Sequence, residues 1–294
     1  MERNGIIAVG FDGSAASWTA LDYAATEAVL RGLNLRLVHA LLEPADYAET
    51  ALIKPVEDAP TEARRLLAFA SNYLTQQYGN LGVQLSIGAR AAGDLLVSES
   101  HAATLVVVGR RGRGRLPTVI GSVSAHVAAH SKCTVLVVGA TPRSPSGPVV
   151  VGVDVTTPAP SAVSFAFDAA DRHGTDLVAC YVWAPTPPPI PFGPSNPDRP
   201  HDLESARRML DEALADGHAA YPDVQARAEV VRGADPAAQL LELAADASLV
   251  VVGCREETGF QRLVHGSVSH ALIHHTASPV VVTHTATTGV LARA

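Results

Sequence analysis

Two tandem α/β domains, each on an open parallel sheet, are what this sequence predicts, and three observations predict them. The chain repeats itself: TLVVVGRRGRGRLPTVIGSVSAHVAAHSKCTVLVVG at 104–139 returns as SLVVVGCREETGFQRLVHGSVSHALIHHTASPVVVT at 248–283, and IIAVGFDGS at 6–14 as VVVGVDVTT at 149–157. Asp12 maps to Asp154 and Gly109 to Gly253, a period far longer than the 20–50 residues of a solenoid repeat, so a whole domain has been duplicated. Apolar runs of strand length also alternate with helical patterns, which implies βαβ units. Finally, runs such as Leu105-Val106-Val107-Val108 are continuously apolar, as suits strands buried on both faces.

In the first half the strands are expected near 5–11, 33–41, 82–89, 104–109 and 134–139. The first is the run Ile6-Ile7-Ala8-Val9, and the last is Thr134-Val135-Leu136-Val137-Val138-Gly139. Helices are expected between them, near 15–31, 61–79, 92–103 and 122–131. The second half repeats the scheme, with strands near 148–153, 175–183, 225–231, 248–253 and 279–283. Thr141-Pro142-Arg143-Ser144-Pro145-Ser146-Gly147-Pro148 reads as a linker, because proline removes donors and breaks regular structure. The domains expected are therefore 1–140 and 149–286, joined by 141–148 and followed by a tail, 287–294. A proline-rich stretch from Pro185 to Pro200, like the region near 42–60, reads as a long loop.

Units of this size can each bury a core. Of the 294 residues 47% are hydrophobic and 17% charged, the balance of a globular protein and not of a disordered one. A net charge of −7 argues against a general nucleic-acid surface. The arginines at 110, 111, 113 and 115 are a local basic feature. The first strand starts at Ile6 and no apolar run approaches 18 residues, so neither a leader nor a membrane span is expected. Cys133, Cys180 and Cys254 lack metal or redox spacing and read as reduced thiols, which makes the cytoplasm the expected location.

Three segments of the first half should converge. The first strand runs into Gly10-Phe11-Asp12-Gly13-Ser14 directly before a helix, the fourth ends at Gly109-Arg110-Arg111-Gly112, and the next helix opens at Gly121-Ser122-Val123-Ser124. In open α/β sheets, ligands bind beyond the carboxyl ends of the strands. Glycines let backbone N–H groups approach an anion, the helix start at Ser122 favours phosphate, and Arg110, Arg111 and Arg113 add charge-assisted donors. Asp12 would accept from ribose hydroxyls or hold a magnesium ion.

The pattern Val-Gly-x-Asp-Gly-Ser, then Gly-x-x-Gly, then Gly-Ser-Val-Ser resembles the universal stress protein family, over essentially the whole chain as two copies. That resemblance implies a Rossmann-like, adenine nucleotide alpha hydrolase-like fold, a five-stranded parallel sheet ordered 3-2-1-4-5 with flanking helices, and ATP as ligand with Mg2+ as its accompanying ion. It places Asp12, Gly13 and Ser14 with Val38, His39 and Ala40 at adenine and ribose. Gly109, Gly112, Gly121 and Ser122 fall at the phosphates, supported by Val123 and Ser124, and the charged donors Arg110, Arg111 and Arg113 lie in the same stretch. The weaker second set is Asp154, Val182, Gly253, Arg255, Gly266, Ser267, Val268 and Ser269.

Both halves depart from the family signature, G-x2-G-x9-G-[ST]. In the first, eight residues (113–120) separate Gly112 from Gly121 where the family has nine, with Pro117 in the shortened loop. In the second the nine residues 257–265 are kept, but Glu256 replaces the second glycine and Val155 replaces the elbow glycine. At roughly 5 Å and an effective dielectric of about 20, a phosphate charge would repel Glu256 by about 3 kcal/mol. Half of that weakens binding about tenfold. The expectation is asymmetric: the first half binds ATP, and the second binds it weakly or not at all.

The remaining motifs carry less. His126 and His130, like His270 and His274, are four apart on expected helices, but the sequence suggests no third ligand, so they read as solvated and no metal site is expected. Trp18 and Trp183 read as packing residues. No G-x-S-x-G elbow, H-E-x-x-H, paired C-x-x-C or Walker lysine occurs, so no catalytic residue is assigned and enzymatic activity is not expected. The apolar last strands, 134–139 and 279–283, are unsafe as exposed edges, and their mutual pairing in an internal pseudo-dimer is expected, with a homodimer of chains also open. The leading reading is a nucleotide-responsive stress or signalling regulator acting on an unidentified protein partner. The alternatives are a nucleotide-independent scaffold with decayed sites, or a slow ATPase or adenylate-transferring enzyme.

Overall fold

The computed structural model describes residues 5–41, 59–110, 122–139, 147–157, 159–184, 200–254 and 268–284. The chain divides into two compact units, Met1–Pro142 and Arg143–Ala294. The first contains β1 (Ile6–Gly10), α1 (Ala15–Arg31), β2 (Asn34–Ala40), α2 (Ala59–Tyr78), β3 (Val83–Gly88), α3 (Ala92–Glu99), β4 (Leu105–Gly109), α4 (Ser122–His130) and β5 (Thr134–Val138). Its strand order is β3-β2-β1-β4-β5, with every pairing parallel. The central strands are apolar throughout because both faces are covered. Ile7, Val9, Leu35, Leu37, Val106 and Val107 have no exposed surface. Gly10 faces Leu96 of α3, whereas Gly109 faces Ala16 of α1, so the helices lie on opposite sides of the sheet.

The second unit contains β6 (Val149–Gly152), α5 (Pro160–His173), β7 (Leu177–Trp183), α6 (Leu203–Ala220), β8 (Ala226–Arg232), α7 (Pro236–Leu243), β9 (Leu249–Gly253), α8 (Val268–His275) and β10 (Val280–Thr283). Its order, β8-β7-β6-β9-β10, is again wholly parallel. Gly152 looks at Leu240 of α7 and Gly253 at Ala159, just before α5, which repeats the first unit's plan.

One helix is shorter than its sequence suggests. α3 ends at Glu99 and not near 103, because the Ser100 hydroxyl donates to the Val97 carbonyl (2.6 Å) and accepts from the Lys132 amide (2.9 Å). A side chain that competes for helix carbonyls favours a terminus. Residues 141–146 of the linker and most of the proline-rich stretch, 185–199, lie outside the described residues, as do 42–58 and 140. No helix among the described residues is long and apolar enough to cross a membrane.

Candidate functional site

The carboxyl end of the first sheet is built around the turn after β1. Phe11 is buried, its amide donates to the Val38 carbonyl (2.9 Å), and its ring meets Trp18 edge-on at 4.9 Å. Trp18 in turn contacts Tyr73 (5.4 Å) and Phe69 (5.9 Å), so it is a packing residue of α1. With Phe11 anchored, the chain turns through Asp12-Gly13-Ser14. The Ser14 amide donates to Asp12 Oδ1 (2.9 Å), and Gly13 has φ 76°, a left-handed conformation glycine adopts without penalty.

Ser14 then caps α1. Its hydroxyl accepts from the Ser17 amide (3.2 Å), while the Ser17 hydroxyl donates to the Ser14 carbonyl (3.0 Å). This satisfies an orphan donor of the helix start. No acidic residue occupies the first turn of α1, so the positive end of its dipole remains available to an anion. Ser17 has no place in the family pattern, and the local signal that marks it is the Ser-x-x-Ser spacing.

The β2 residues divide. Val38 is buried and its carbonyl accepts from the Phe11 amide. His39 and Ala40 are half-buried. His39 Nδ1 lies 2.7 Å from the Phe11 carbonyl. A carbonyl only accepts, so Nδ1 carries the proton and the ring is tied to the turn.

At the end of β4, Gly109 is required by close packing. A Cβ there would come 2.8 Å from the carbonyl carbon of Ala16 and 2.9 Å from its oxygen. The Arg110 amide donates to the Val138 carbonyl (2.7 Å), and the buried Ser124 hydroxyl to the Arg110 carbonyl (3.3 Å), which holds the start of α4 against the end of β4. Val123 is half-buried beside it. The structure thus brings together Asp12, Gly13, Ser14, His39, Gly109, Arg110 and Ser124. Arg111, Gly112, Arg113 and Gly121 lie outside the described residues, and Ser122 is described only as the first residue of α4.

The second unit answers differently. The Val153 amide donates to the Cys180 carbonyl (2.8 Å), as Phe11 does to Val38, so the turn begins alike. Asp154 Oδ1 then accepts twice from Thr156, from its amide (3.0 Å) and its hydroxyl (2.6 Å). Val155, in the place of Gly13, is buried. The connection to α5 covers 153–159 where the first unit uses 11–14, and the cap residue Ala159 makes no side-chain cap bond. The equal offset places Tyr181, buried, where His39 stands, and half-buried Val182 where Ala40 stands. Val268 and Ser269 open α8, both half-buried, whereas Arg255, Glu256, Gly266 and Ser267 lie outside the described residues.

The buried thiols suit no nucleophilic role. Burial pushes both Cys133 and Cys180 up to about 12, far from the thiolate form at neutral pH. Trp183 is packed and donates from Nε1 to the Pro200 carbonyl (3.2 Å). Among the described residues, no group of three or more His, Cys, Asp or Glu side chains is placed to hold a metal ion.

Comparison with known proteins agrees with this architecture. The profile described as "Universal stress protein family" matches residues 4–139 and again 146–284. A universal stress protein of Mycolicibacterium smegmatis is 36% identical over 273 residues, covering 90% of this chain and 91% of that one. One from Mycobacterium tuberculosis is 35% identical over 276 residues, covering 90% and 92%. The crystal structure of a universal stress protein from Archaeoglobus fulgidus superposes with a TM-score of 0.69 at 15% identity, over 96% of this chain and 97% of that one, a likeness of fold.

Proposed function

The chain belongs to the universal stress protein family, and on that premise we propose that its first unit binds ATP and its second binds it weakly or not at all. The observation that carries this reading is the contrast between the two turns. In the first, Asp12 accepts from the Ser14 amide in a tight turn through Gly13 that leads straight into a capped helix start without acidic residues. In the second, the same oxygen of Asp154 already takes two bonds from Thr156, and a buried valine fills the position of the glycine. A ribose hydroxyl would compete with Thr156 for Asp154, and the bulk of Val155 stands where backbone should approach the ligand.

On this reading Asp12 faces the ribose or a Mg2+ ion, and His39 and Ala40 border the base. Gly109, Arg110 and the start of α4, with Arg111, Gly112, Arg113 and Gly121, surround the phosphates. Among the described residues of the site none is assigned as a general base, and on this reading the bound nucleotide serves as a signal. Occupancy changes the surface of the 110–120 loop, and a protein partner that distinguishes loaded from empty chains reads it.

Nucleotide stoichiometry tests the proposal. The purified chain is saturated with ATP and magnesium, freed of excess and denatured, and the released adenine nucleotide is counted. One ATP per chain, lost in Gly121→Glu and kept in Gly266→Glu, is the expected result. None at millimolar ATP would replace this reading with that of a nucleotide-independent scaffold, and two per chain would remove the asymmetry. Turnover of the bound ATP on long incubation would overturn the signalling role in favour of a slow ATPase.

A further inference from the structure

We propose that Cys254, at the carboxyl end of β9, is a reactive thiol paired with His284 and exchanges with low-molecular-weight disulfides, which gives the second unit a reversible thiol-modification site. The pairing follows from sheet register. Gly253 stands opposite Thr283, and the ladder continues one residue further, because the Cys254 amide donates to the Thr283 carbonyl (2.8 Å). Cys254 and His284 are therefore the next pair across the two strands.

Three observations put both side chains on one face. A Cβ on Gly253 would meet Ala159, just before α5, so residue 253 faces the α5 side. The Thr283 hydroxyl accepts from the Ser161 hydroxyl of α5 (3.2 Å), so residue 283 faces that side too. Val252 faces the other way, with its Cγ1 3.3 Å from where a Cβ of Gly152 would stand, beside Leu240 of α7. Successive side chains of a strand alternate, so Cys254 and His284 both return to the side of α7 and α8. Neighbouring strands lie about 4.8 Å apart, within the range of about 4–6 Å over which an imidazolium charge favours a thiolate.

Exposure separates Cys254 from the other thiols. Cys133 and Cys180 are buried and pushed up to about 12, whereas Cys254 is half-buried. His284 is only 5% exposed, so the base is shielded while the thiol can be reached. Reactive cysteines sit in such partly exposed places, beside a histidine or a helix start. The first unit is built otherwise there: Arg110 stands at the position of Cys254 and Gly139 at that of His284. Other titratable groups on this side are engaged or distant. Asp154, after β6, is held through Oδ1 by Thr156, and exposed Asp235 caps α7. His270 is exposed at the start of α8. Glu242, His274 and His275 lie in the last turns of α7 and α8, at the far end of the sheet, because crossover helices run back against their strands.

In the step proposed, the Cys254 proton passes to His284 and the thiolate attacks one sulfur of a disulfide R–S–S–R. A Cys254–S–S–R bond forms, the S–S bond of the reagent breaks, and the leaving R–S⁻ takes the proton back from the imidazolium. The Cys254 sulfur is oxidised and the leaving sulfur reduced, with no further oxidant.

The aromatic disulfide dithiobis(nitrobenzoate) tests this on the full-length native chain, with the released thiolate followed by absorbance across a pH series. One equivalent is expected to react rapidly, and Cys254→Ser should abolish it. The midpoint of its rate profile should fall at least about one pH unit below the ordinary thiol value of about 8.5, and His284→Gln should return it there. The midpoint decides, because a thiol of lower pKa has more thiolate but a weaker nucleophile. Oxidised glutathione should leave one adduct by intact mass, absent in Cys254→Ser and removed by dithiothreitol. A wild-type midpoint at or above the ordinary value, or one unmoved in His284→Gln, would overturn the pairing. A fast equivalent surviving in Cys254→Ser, or no glutathione adduct, would overturn the site. The wild-type profile needs no variant, so the pairing stays testable if circular dichroism shows that His284→Gln does not fold.

Discussion

The turns after β1 and β6 start from the same instruction and end differently. Both strands close on Gly-x-Asp, and both hold the next residue by an amide donated across to the neighbouring strand. The first turn then needs four residues to enter α1, because Gly13 takes the left-handed conformation and Ser14 caps at once. The second has valine where the glycine would be and takes seven, with Pro160 inside the first turn of α5. One fold therefore tolerates either turn. On the proposed reading, the glycine and serine of the first turn serve a ligand as well as the helix start.

The largest separation between the units is expected at the paired glycines that end β4 and β9. In Gly109→Ala the new Cβ meets the main chain of Ala16, and main chain cannot rotate away. Overpacking of this kind costs about 1–3 kcal/mol, and the upper end is expected here. In Gly253→Ala the close contact is with a single atom, the Ala159 methyl 2.5 Å away, where Gly109→Ala meets three atoms of Ala16. A loss about 1 kcal/mol smaller is expected from urea unfolding. Equal losses would show that the one closer contact costs as much as the three at Gly109.

The next effect concerns the two aspartates. On the proposed reading, Asp12→Ala removes a charged acceptor from the ligand, a contribution of about 1.5–3 kcal/mol. ATP affinity should then fall at least tenfold. Asp154→Ala should leave both affinity and stoichiometry unchanged. Calorimetric titration of the two variants decides the matter, and equal losses would mean that both units bind. Restoring the family residue with Glu256→Gly sharpens the same comparison. If Asp154 and Val155 close the second unit by themselves, that change alone creates no second site.

Much of this was legible because the duplication shows each element twice. The Val/Leu runs of β4 and β9 could be nothing but buried strands, and the elbow at Asp12-Gly13-Ser14 was readable because an Asx turn and a serine cap involve only near neighbours. What escaped depends on residues distant in sequence. The end of α3 is set by Ser100 accepting from Lys132, and His39 is oriented by Phe11, 28 positions earlier. Val38, expected with His39 and Ala40 at the base-binding edge, also accepts through its carbonyl from the turn. Strand periodicity does not report which neighbour takes a carbonyl. The longer entry into α5 had a visible marker in Pro160, a residue favoured at the first helical positions. Its meaning emerges only when the start of α5 is set beside that of α1.

The smallest effect lies in the helix caps. Ser14→Ala removes the acceptor for the Ser17 amide and should destabilise the first unit by about 1 kcal/mol. Ala159 makes no cap bond, so Ala159→Ser offers α5 what α1 already has and should stabilise the second unit by about 0.5–1 kcal/mol. The pair also separates folding from binding. If Ser14 serves only the helix, ATP affinity in Ser14→Ala changes no more than that modest loss allows. If it also orders the Asp12 turn, affinity falls further than stability does. Titration alongside urea unfolding of the same variant reads both. On the proposed reading, a cap gain in Ala159→Ser without any gain in nucleotide would assign the weaker second site to Asp154, Val155 and Glu256.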